Sequence, residues 1–395
     1  MDLPAFRRLL APEGQAALAA AVELRPSTST LLACHKQLRK QYADDLVRTA
    51  LDTALLRQKA AGKFTRADRM YFTREALEQA SGEVISTYRG RRFAGFRRVG
   101  DFCCGIGGDT IGLAMVTEVI AVDADPVRTA MAEENLRVYG RDRVTFECAD
   151  VLTMRIPPLE AAFIDPDRRA GGRRRLRIRE YAPSLDAVRV RLAADFALGV
   201  KVAPGVTWDE VLGFDAEAEF ISVDGELKEC VLWFGQLKSV GRRATVLPAG
   251  ETLADDQPAI LVDPGPPLDY LYDPDPAIVR SGVVANLGQL IGARPIDPEI
   301  AYLTSERYTP TPFARAYRVE ESMPFHSRQL ANRLRSMNVG TVTLTKRGSA
   351  VDPHELLRQW RLTGSETRTV ILTRVQGKPF ALIGYPAGND GPTVN

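Results

Sequence analysis

The chain has 395 residues, and 52 Lys and Arg against 50 Asp and Glu give it a formal net charge of only +2. This length predicts two or three domains, and so small a charge means that any affinity for nucleic acid comes from a local basic cluster. The five cysteines form no C-x-x-C pair, so they give no metal-site signature and are typical of a reducing compartment. No apolar run is long enough to span a bilayer and the first residues lack a signal-peptide core, so we expect a cytoplasmic protein that is not bound to a membrane.

The first 92 residues have the pattern of a helical domain. Leucine and alanine recur at three- and four-residue spacing over 42–59, which predicts a helix with one apolar face. Thr73 has the side chain of an N-cap, for a helix expected to reach Tyr88. The segment 66–72, which mixes charges and aromatic rings, either anchors that helix or closes over a cofactor or substrate.

A strand–loop–helix–strand unit comes next. Asp101 ends an apolar strand, a helix is predicted over 110–117, and a second strand over 119–122 ends on Asp123. The loop after the first strand carries three glycines, which let a ligand approach the backbone: Gly105, Gly107 and Gly108. An acid at the end of the second strand can bind both ribose hydroxyls of an adenosine. The loop and this acid together predict a nucleoside cofactor.

Two residues of the loop indicate which nucleoside. Dinucleotide folds need a G-x-G-x-x-G run that rests the pyrophosphate on the helix N-terminus. Here Cys103 takes the place of the first glycine, and Asp109 lies at the start of the helix. A carboxylate there would repel a pyrophosphate but can accept a hydrogen bond from an ammonium group. This favours S-adenosylmethionine over NAD.

The following strands also end on acids. After a predicted helix over 126–139, the strand 144–148 is followed by Asp150, which can meet the adenine amino group. The fourth strand, over 161–164, is followed by Asp165, Pro166, Asp167 and Arg168. Because the ends of parallel strands meet at one edge of an open sheet, these acids should line one crevice.

These motifs, DFCCGIGGDT, AVDADP and FECADVL, resemble those of the class I S-adenosylmethionine-dependent methyltransferases, and most of all the trimethylguanosine synthase group. The resemblance covers roughly 89–237 and implies an α/β fold with a Rossmann-like sheet. It places Asp101, Gly105 and Gly107 at the methionine moiety, Asp123 at the ribose and Asp150 at the adenine. The cofactor-binding set is completed by Gly108, Asp109 and Val151. A Rossmann-like NAD protein and a non-catalytic fold stay open as alternatives.

The fourth strand departs from the family in a way that concerns the chemistry. Amino-methyltransferases have a D/N/S-P-P-aromatic motif there, and this chain keeps Asp165 and Pro166 but has Asp167 and Arg168 in the last two places. We expect Asp165 to orient an amine and Asp167 to act as general base. Stacking on a base would then fall to Tyr181, Phe72 or an arginine. Covalent uridine-C5 chemistry is disfavoured, since the next strand ends without a cysteine.

An arginine-rich segment follows at once. Its members are Arg168, Arg169, Arg173, Arg174, Arg175, Arg177 and Arg179. Guanidinium groups bind phosphate oxygens with two hydrogen bonds and stack on bases. We therefore expect RNA, either tRNA or rRNA, to contact the first five of them. The alternative is a solvated charged loop.

The rest of the chain completes the core and adds a second lobe. The predicted methyltransferase core covers 93–247. Its last elements are a helix over 184–196, a strand over 198–202 and a hairpin of 219–223 with 229–234 that turns at Asp224-Gly225. A linker rich in Pro and Asp spans 248–276. Beyond it we predict a helix over 277–291, a strand over 341–345, a helix starting at Asp352 and a hairpin of 369–375 with 380–384. This region, which contains TPFARAY and TKRGSAVDP, resembles the α+β THUMP-like domain. The predicted domains are thus 1–92, 93–247, 248–276 and 277–395.

Taken together, the sequence favours an S-adenosylmethionine-dependent methyltransferase that acts on an exocyclic amine or ring nitrogen of RNA. One rival is a methyltransferase of a small molecule or protein side chain. The other is an RNA-binding protein that keeps the cofactor pocket without turnover. His35, His326 and His354 are scattered, so no metal site is expected.

Overall fold

A computed structural model describes residues 1–170, 173–174, 177–193 and 195–388, with the backbone alone for 169–170 and 173–174. The chain divides into two compact units. The first comprises Met1–Glu217 and Glu229–Ser239, and the second comprises Ala218–Lys228 and Val240–Asn395. The finer division into four segments stays a prediction.

Helices form the first ninety residues. They are α1 (Leu3–Leu10), α2 (Pro12–Glu23), α3 (Leu31–Leu38), α4 (Asp44–Ala60), α5 (Arg74–Gln79) and α6 (Glu83–Gly90). The helix predicted over 42–59 is confirmed by α4, and Thr73 is an N-cap whose side chain accepts a hydrogen bond from the Ala76 N–H. The helix predicted to run from there to Tyr88 is wrong, because it stops after Gln79 and restarts at Glu83.

The helical region shares one apolar core with the segment that follows it. Buried side chains such as Phe6, Leu51 and Phe72 belong to the same cluster as Met131 and Leu136. The backbone N–H and carbonyl of Tyr71 bond the side chain of Asn135 at 2.7 and 3.0 Å. The segment 66–72 therefore anchors the helices, as the first of the two interpretations held.

A mainly parallel sheet forms the centre of the first unit. The strands over 98–234 are β1 (Arg98–Phe102), β2 (Glu118–Asp123), β3 (Val144–Cys148), β4 (Ala161–Ile164), β5 (Arg169–Ala170), β6 (Arg173–Arg174), β7 (Ala197–Val202), β8 (Glu217–Val223) and β9 (Glu226–Phe234). The order in the first unit is β3-β2-β1-β4-β7-β9, with β9 antiparallel to β7. Strands β4 and β7 are buried at every position, as expected for parallel strands covered on both faces. The predicted Rossmann-like sheet is confirmed.

Four helices connect or flank these strands. They are α7 (Gly108–Leu113), α8 (Pro126–Val138), α9 (Leu185–Arg191) and α10 (Trp208–Leu212). Helix α8 begins where the sequence predicts it, because Asp125 caps the N–H groups of Val127 and Arg128, and Pro126 needs no such partner. Helices α7 and α9 are shorter than predicted. All four acids of the predicted crevice lie at or just beyond a strand end on one edge of the sheet.

The second unit holds a separate, mainly antiparallel sheet, in which β16 is parallel to β17. The remaining strands are β10 (Arg242–Leu247), β11 (Glu251–Ala254), β12 (Tyr270–Pro274), β13 (Arg294–Pro295), β14 (Leu303–Ser305), β15 (Ala314–Pro324), β16 (Val339–Lys346), β17 (Glu366–Val375) and β18 (Lys378–Pro386). The sheet order is β13-β14-β12-β15-β18-β17-β16, and β10 lies between β8 and β11. The predicted hairpin turn between β17 and β18 is confirmed, with Gln376 and Gly377 both at positive φ. The predicted linker 248–276 contains β11 and the whole of β12.

The helices of this part of the chain are α11 (Pro276–Ser281), α12 (Val284–Ile291), α13 (Ser327–Ser336) and α14 (Pro353–Trp360). Helices α13 and α14 pack on one face of the sheet. Leu330, Leu334 and Trp360 pack against strand residues such as Val370 in one core. The single helix predicted over 277–291 is wrong, because Gly282 at φ +78° ends α11 in a left-handed cap. In the described part of the chain, no helix is both long and apolar enough to cross a membrane.

Candidate active site

A cavity of about 420 Å³ lies at the carboxyl ends of β1, β2 and β4, within the size range of small-molecule sites. Most of the predicted cofactor-binding residues line it, namely Gly105, Gly108, Asp109, Asp123, Asp150 and Val151. The predicted acceptor side lines it as well, through Asp165, Pro166, Asp167 and Arg168. Asp101 and Gly107 lie behind this wall.

The glycines of the loop differ in what they do. Gly105 has a φ of +57°, and nothing lies within 4 Å of the point where a Cβ would stand, so it leaves open space beside the cavity. Gly107 has a φ of +84°, and a Cβ there would stand 2.6 Å from Leu136 Cδ2. Gly105 therefore makes room for a ligand, whereas Gly107 permits close packing of the loop on α8.

Asp123 is fixed in place by the backbone. Its Oδ2 accepts from the Gly105 N–H at 2.8 Å and its Oδ1 from the Asp125 N–H at 2.9 Å. Burial raises the pKa of this carboxyl, against the lowering effect of the two backbone donors. Each oxygen keeps a further lone pair for a ligand hydroxyl. At the next strand end, Asp150 accepts from the Leu152 N–H at 2.9 Å and is exposed beside buried Val151.

Behind the cavity lies a group of ionisable side chains that we call the buried charge cluster. Its members are Arg89, Lys201, Asp101, Asp109, Asp165 and Glu229. Arg89 forms ion pairs with Asp109 and Glu229, and Ser81 Oγ accepts from Arg89 at 3.0 Å. Lys201 Nζ lies 2.7 Å from Asp165 Oδ2. The cluster thus holds four carboxyl groups and two cations.

Asp101 is the most deeply buried acid of the cluster, at 1% exposure. Its Oδ2 accepts from Thr110 Oγ1 at 2.5 Å, while Oδ1 is buried with no hydrogen-bond partner among the described residues. Burial, together with the charge of Asp109, raises the pKa of Asp101 well above its usual range. Burial also raises the pKa of Glu229. Carboxyl groups therefore outnumber cations around the cavity, and a cationic ligand would favour their ionised forms.

The acids after β4 have different surroundings. The Asp165 side chain is 19% exposed and contacts Lys201 on one side. Asp167 exchanges backbone hydrogen bonds with Ala182 at 2.8 and 3.0 Å, and its Oδ1 accepts from Gln79 Nε2 at 3.4 Å. The expectation that Phe72 or Tyr181 stacks on a base is wrong, because both side chains are buried. Phe72 lies in the helical core, and the Tyr181 hydroxyl accepts a hydrogen bond from the Ala203 N–H.

The arginine-rich segment is only partly described. Arg168 lines the cavity, Arg169, Arg173 and Arg174 lie in the short pair β5–β6, and Arg175 lies outside the described residues. Farther along, Arg177 and Arg179 line a second cavity of about 940 Å³, together with Ala203 and Pro204 after β7. The two cavities thus open at the ends of neighbouring parallel strands, β4 and β7.

Comparison with known proteins identifies the family to which the chain belongs. Over 338 residues, 82% of the chain, it is 38% identical to an uncharacterised S-adenosylmethionine-dependent methyltransferase of Mycobacterium tuberculosis strain CDC 1551, and the match covers 92% of that protein. A protein of the same description from strain H37Rv matches equally. The chain belongs to the S-adenosylmethionine-dependent methyltransferases.

Partial matches agree with this family and with the predicted lobes. Family models match residues 96–191 (RNA cap guanine-N2 methyltransferase), 314–386 (THUMP domain-like) and 2–60 (a domain of unknown function). Over 54 residues, 13% of the chain, it is 46% identical to trimethylguanosine synthase of Schizosaccharomyces pombe, and 23% of that protein is covered. A solved structure from Porphyromonas gingivalis W83, assigned as a methyltransferase, has a TM-score of 0.75 at 20% identity, covering 95% of this chain and 99% of that one. This likeness shows the shared fold.

The cavity of this methyltransferase suits its cofactor. S-adenosylmethionine has a ribose, an ammonium group and a cationic sulfonium, and the wall offers the fixed carboxylate of Asp123, open space at Gly105 and the excess carboxyl groups of the buried charge cluster. Asp109 is ion-paired with Arg89, so the ammonium contact predicted for it would be shared with that arginine. The individual cofactor contacts remain proposals.

Sequence reasoning missed the basic half of the cluster. Arg89, Lys201 and the break that places Ser81 were not predicted. One signal was present, because a lysine inside the apolar strand ALGVKV must be buried with a partner. The pairing of Arg89 with Glu229 spans 140 residues, and no local pattern indicates it.

Proposed function

We propose that this methyltransferase transfers a methyl group to a nitrogen atom of an RNA base, with Asp165 and Pro166 holding the acceptor. The observation that carries the proposal is the position of Asp165. It lines the cofactor cavity at the end of β4, within the segment 96–191 that the RNA cap guanine-N2 methyltransferase model matches. This is the place at which a methyl acceptor would meet the cofactor.

The proposed reaction depends more on how the protein orients the base than on protein groups that react covalently. S-adenosylmethionine supplies a methyl group that is already activated on sulfur. A base nitrogen must direct its lone pair at that carbon, and holding it in line provides much of the rate. Asp165 would accept an N–H of the base at Oδ1, since its recorded partner, Lys201, contacts Oδ2. The Pro166 carbonyl would accept a second N–H, and Asp167 would take up the proton that leaves.

Two observations support RNA as the class of substrate. Arg168 lies in the cofactor cavity, and Arg177 and Arg179 lie in the neighbouring one, where guanidinium groups could bind phosphates or stack on a base in place of Tyr181 and Phe72. Residues 314–386 match the THUMP domain-like model, and a domain of that kind would add a second contact with RNA.

The test is a methyl-transfer assay on material from a strain that lacks the gene. Extract from that strain is separated into RNA, protein and small molecules, and each is incubated with the full-length protein and tritiated S-adenosylmethionine. We expect label in RNA, and mass spectrometry of its nucleosides to reveal one N-methylated base. Label confined to protein or to small molecules would overturn the proposal.

A pair of variants then locates the site. Asp165→Ala should abolish transfer to RNA while the affinity for S-adenosylhomocysteine stays within about twofold, because the ribose contact lies on Asp123. Asp142→Ala removes an exposed carboxylate and should leave both quantities unchanged. Normal transfer by Asp165→Ala would show that the acceptor binds elsewhere.

A further inference from the structure

Lys201 is an unusual residue for its position. It lies in β7, whose six residues are all buried, and is itself only 4% exposed. A buried lysine loses the hydration of its charge, so it persists only where partners compensate. Its neighbours on the strand are apolar, and the burial therefore has a specific cause in what its ammonium group contacts.

Within the described part of the chain, the ammonium group contacts two oxygen atoms. Asp165 Oδ2 lies 2.7 Å from Nζ, and the Gln79 carbonyl oxygen accepts from it at 3.2 Å. The first contact follows from the register of the two strands. Ile164, the last residue of β4, pairs with Val200 of β7, and the residues that follow them are Asp165 and Lys201. One partner is therefore the acid proposed to hold the methyl acceptor.

The second contact exists because the helix breaks after Gln79. The last carbonyl groups of a helix lack partners within it, so the end of α5 offers the Gln79 oxygen to Lys201. The side chain of the same Gln79 donates to Asp167 Oδ1 at 3.4 Å. Gln79 and Lys201 thus connect the end of α5 to both acids after β4.

The charges around Lys201 keep it a cation. Burial lowers its pKa, but Asp165, Asp109 and Glu229 together outweigh both burial and the opposing charge of Arg89, so the pKa is raised. A permanent charge at this depth can hold a carboxylate in one orientation.

We propose that Lys201, braced by the Gln79 carbonyl, is a positioning residue that orients the Asp165 carboxylate toward the methyl acceptor. The inference rests on the proposed role of Asp165, though not on the acceptor being RNA. It extends the site to a residue that does not line the cavity among the described residues and that acts through Asp165.

A double-mutant cycle tests this dependence. The full-length proteins are wild type, Lys201→Met, Asp165→Asn and Lys201→Met/Asp165→Asn. Asn is used because its amide oxygen still accepts a hydrogen bond, which keeps turnover measurable by tritium transfer. The acceptor is whichever extract fraction the wild-type protein labels, so a non-RNA acceptor would refute the proposed function and still allow this test. Lys228→Met, at an exposed lysine of β9, is the control.

We expect Lys201→Met to lower kcat at least tenfold, with the dissociation constant of S-adenosylhomocysteine within threefold of wild type. Lys201→Met should add less than a twofold loss to Asp165→Asn, because the neutral amide no longer forms the ion pair through which Lys201 acts. The double variant leaves no unpaired charge at this contact, so the second comparison holds even if Lys201→Met alone folds poorly. Multiplicative losses in kcat, or wild-type turnover in Lys201→Met, would overturn the inference.

Discussion

Two aspartates that follow strands in the same way acquire different properties from their surroundings. Asp123 receives two backbone N–H groups, whereas Asp165 receives a lysine. Backbone donors fix a carboxylate without neutralising it, so Asp123 suits a neutral hydroxyl pair. An ion pair restrains one oxygen of Asp165 and leaves the other to accept an N–H of the methyl acceptor. The roles proposed for the two acids follow from these contacts.

The first prediction concerns Asp123. Replacing it with Ala removes a charged hydrogen-bond acceptor, and such bonds contribute about 1.5–3 kcal/mol each. We therefore expect Asp123→Ala to weaken S-adenosylhomocysteine binding roughly 10- to 150-fold for each bond lost. Calorimetry on folded protein measures this, and thermal unfolding verifies that the loop is intact. An unchanged affinity would place the ribose away from this acid.

The second prediction concerns Asp101 and pH. Because its pKa is raised in the folded protein, the folded state keeps this proton at pH values where the unfolded chain, with an ordinary pKa of about 3.9, has lost it. The free energy of unfolding of the wild type should therefore fall as the pH rises from the pKa of Asp101 in the unfolded chain to its raised pKa in the folded protein. Asp101→Asn cannot titrate and should lack this loss.

The measurement for Asp101 is urea unfolding of both proteins at a series of pH values from 4 to 8. The free energy of unfolding of Asp101→Asn, minus that of wild type, should increase with pH across this window. Acids distant from Asp101 titrate alike in both proteins and cancel in the difference. A difference that is constant with pH would mean that Asp101 is ionised in the folded protein.

At the scale of elements, the sequence predicts what is local. Strands β3 and β4 begin and end at the predicted residues, because each is an apolar or alternating run followed by an acid. Helix breaks were missed at two places, Ala80–Gly82 and Gly282, since the periodicity continues across both. The first break depends on Ser81, whose Oγ contacts Arg89, Asp109 and Glu229. Long-range contacts of that kind leave no trace in a local pattern.

The third prediction concerns the crossing of α6 and α7. A Cβ added to Gly112 of α7 would collide with the Ser86 carbonyl of α6, and one added to Gly90 with the Gly112 carbonyl. Backbone atoms cannot move aside as side chains do, so Gly112→Ala should destabilise the protein by about 1–3 kcal/mol. Because α6 carries Arg89 and α7 carries Asp109, the affinity for S-adenosylhomocysteine should fall too.

The matched control for that crossing is Gly95→Ala. Nothing lies within 4 Å of a Cβ at Gly95, so its unfolding free energy should stay within about 0.5 kcal/mol of wild type. Urea unfolding at one pH compares the three proteins. Equal stability of the two variants would mean that α6 and α7 separate at little cost.

For the whole molecule, the charge balance limits how RNA can be bound. A net charge of +2 over 395 residues produces no strong general attraction for a polyanion. Attraction must come from local clusters, and the dependence of binding on salt reports how many phosphates such a cluster contacts. Arg168, the first residue of the arginine-rich segment, lines the cofactor cavity.

The fourth prediction therefore concerns Arg173, Arg174 and Arg175 replaced together by Ala. Each phosphate contact contributes about 0.7–0.9 to the slope of log affinity against log salt, so the triple variant should bind bulk tRNA and rRNA with a slope shallower by roughly 2–3. Gel-shift titrations at several salt concentrations measure it. Replacing Lys36, Arg39 and Lys40 by Ala changes the net charge equally at exposed positions of the helical region, and should leave the slope as it is. If both triple variants shift the slope alike, general charge attracts the RNA. If neither does, the contact lies outside both clusters, and residues 314–386 become the place to search for it.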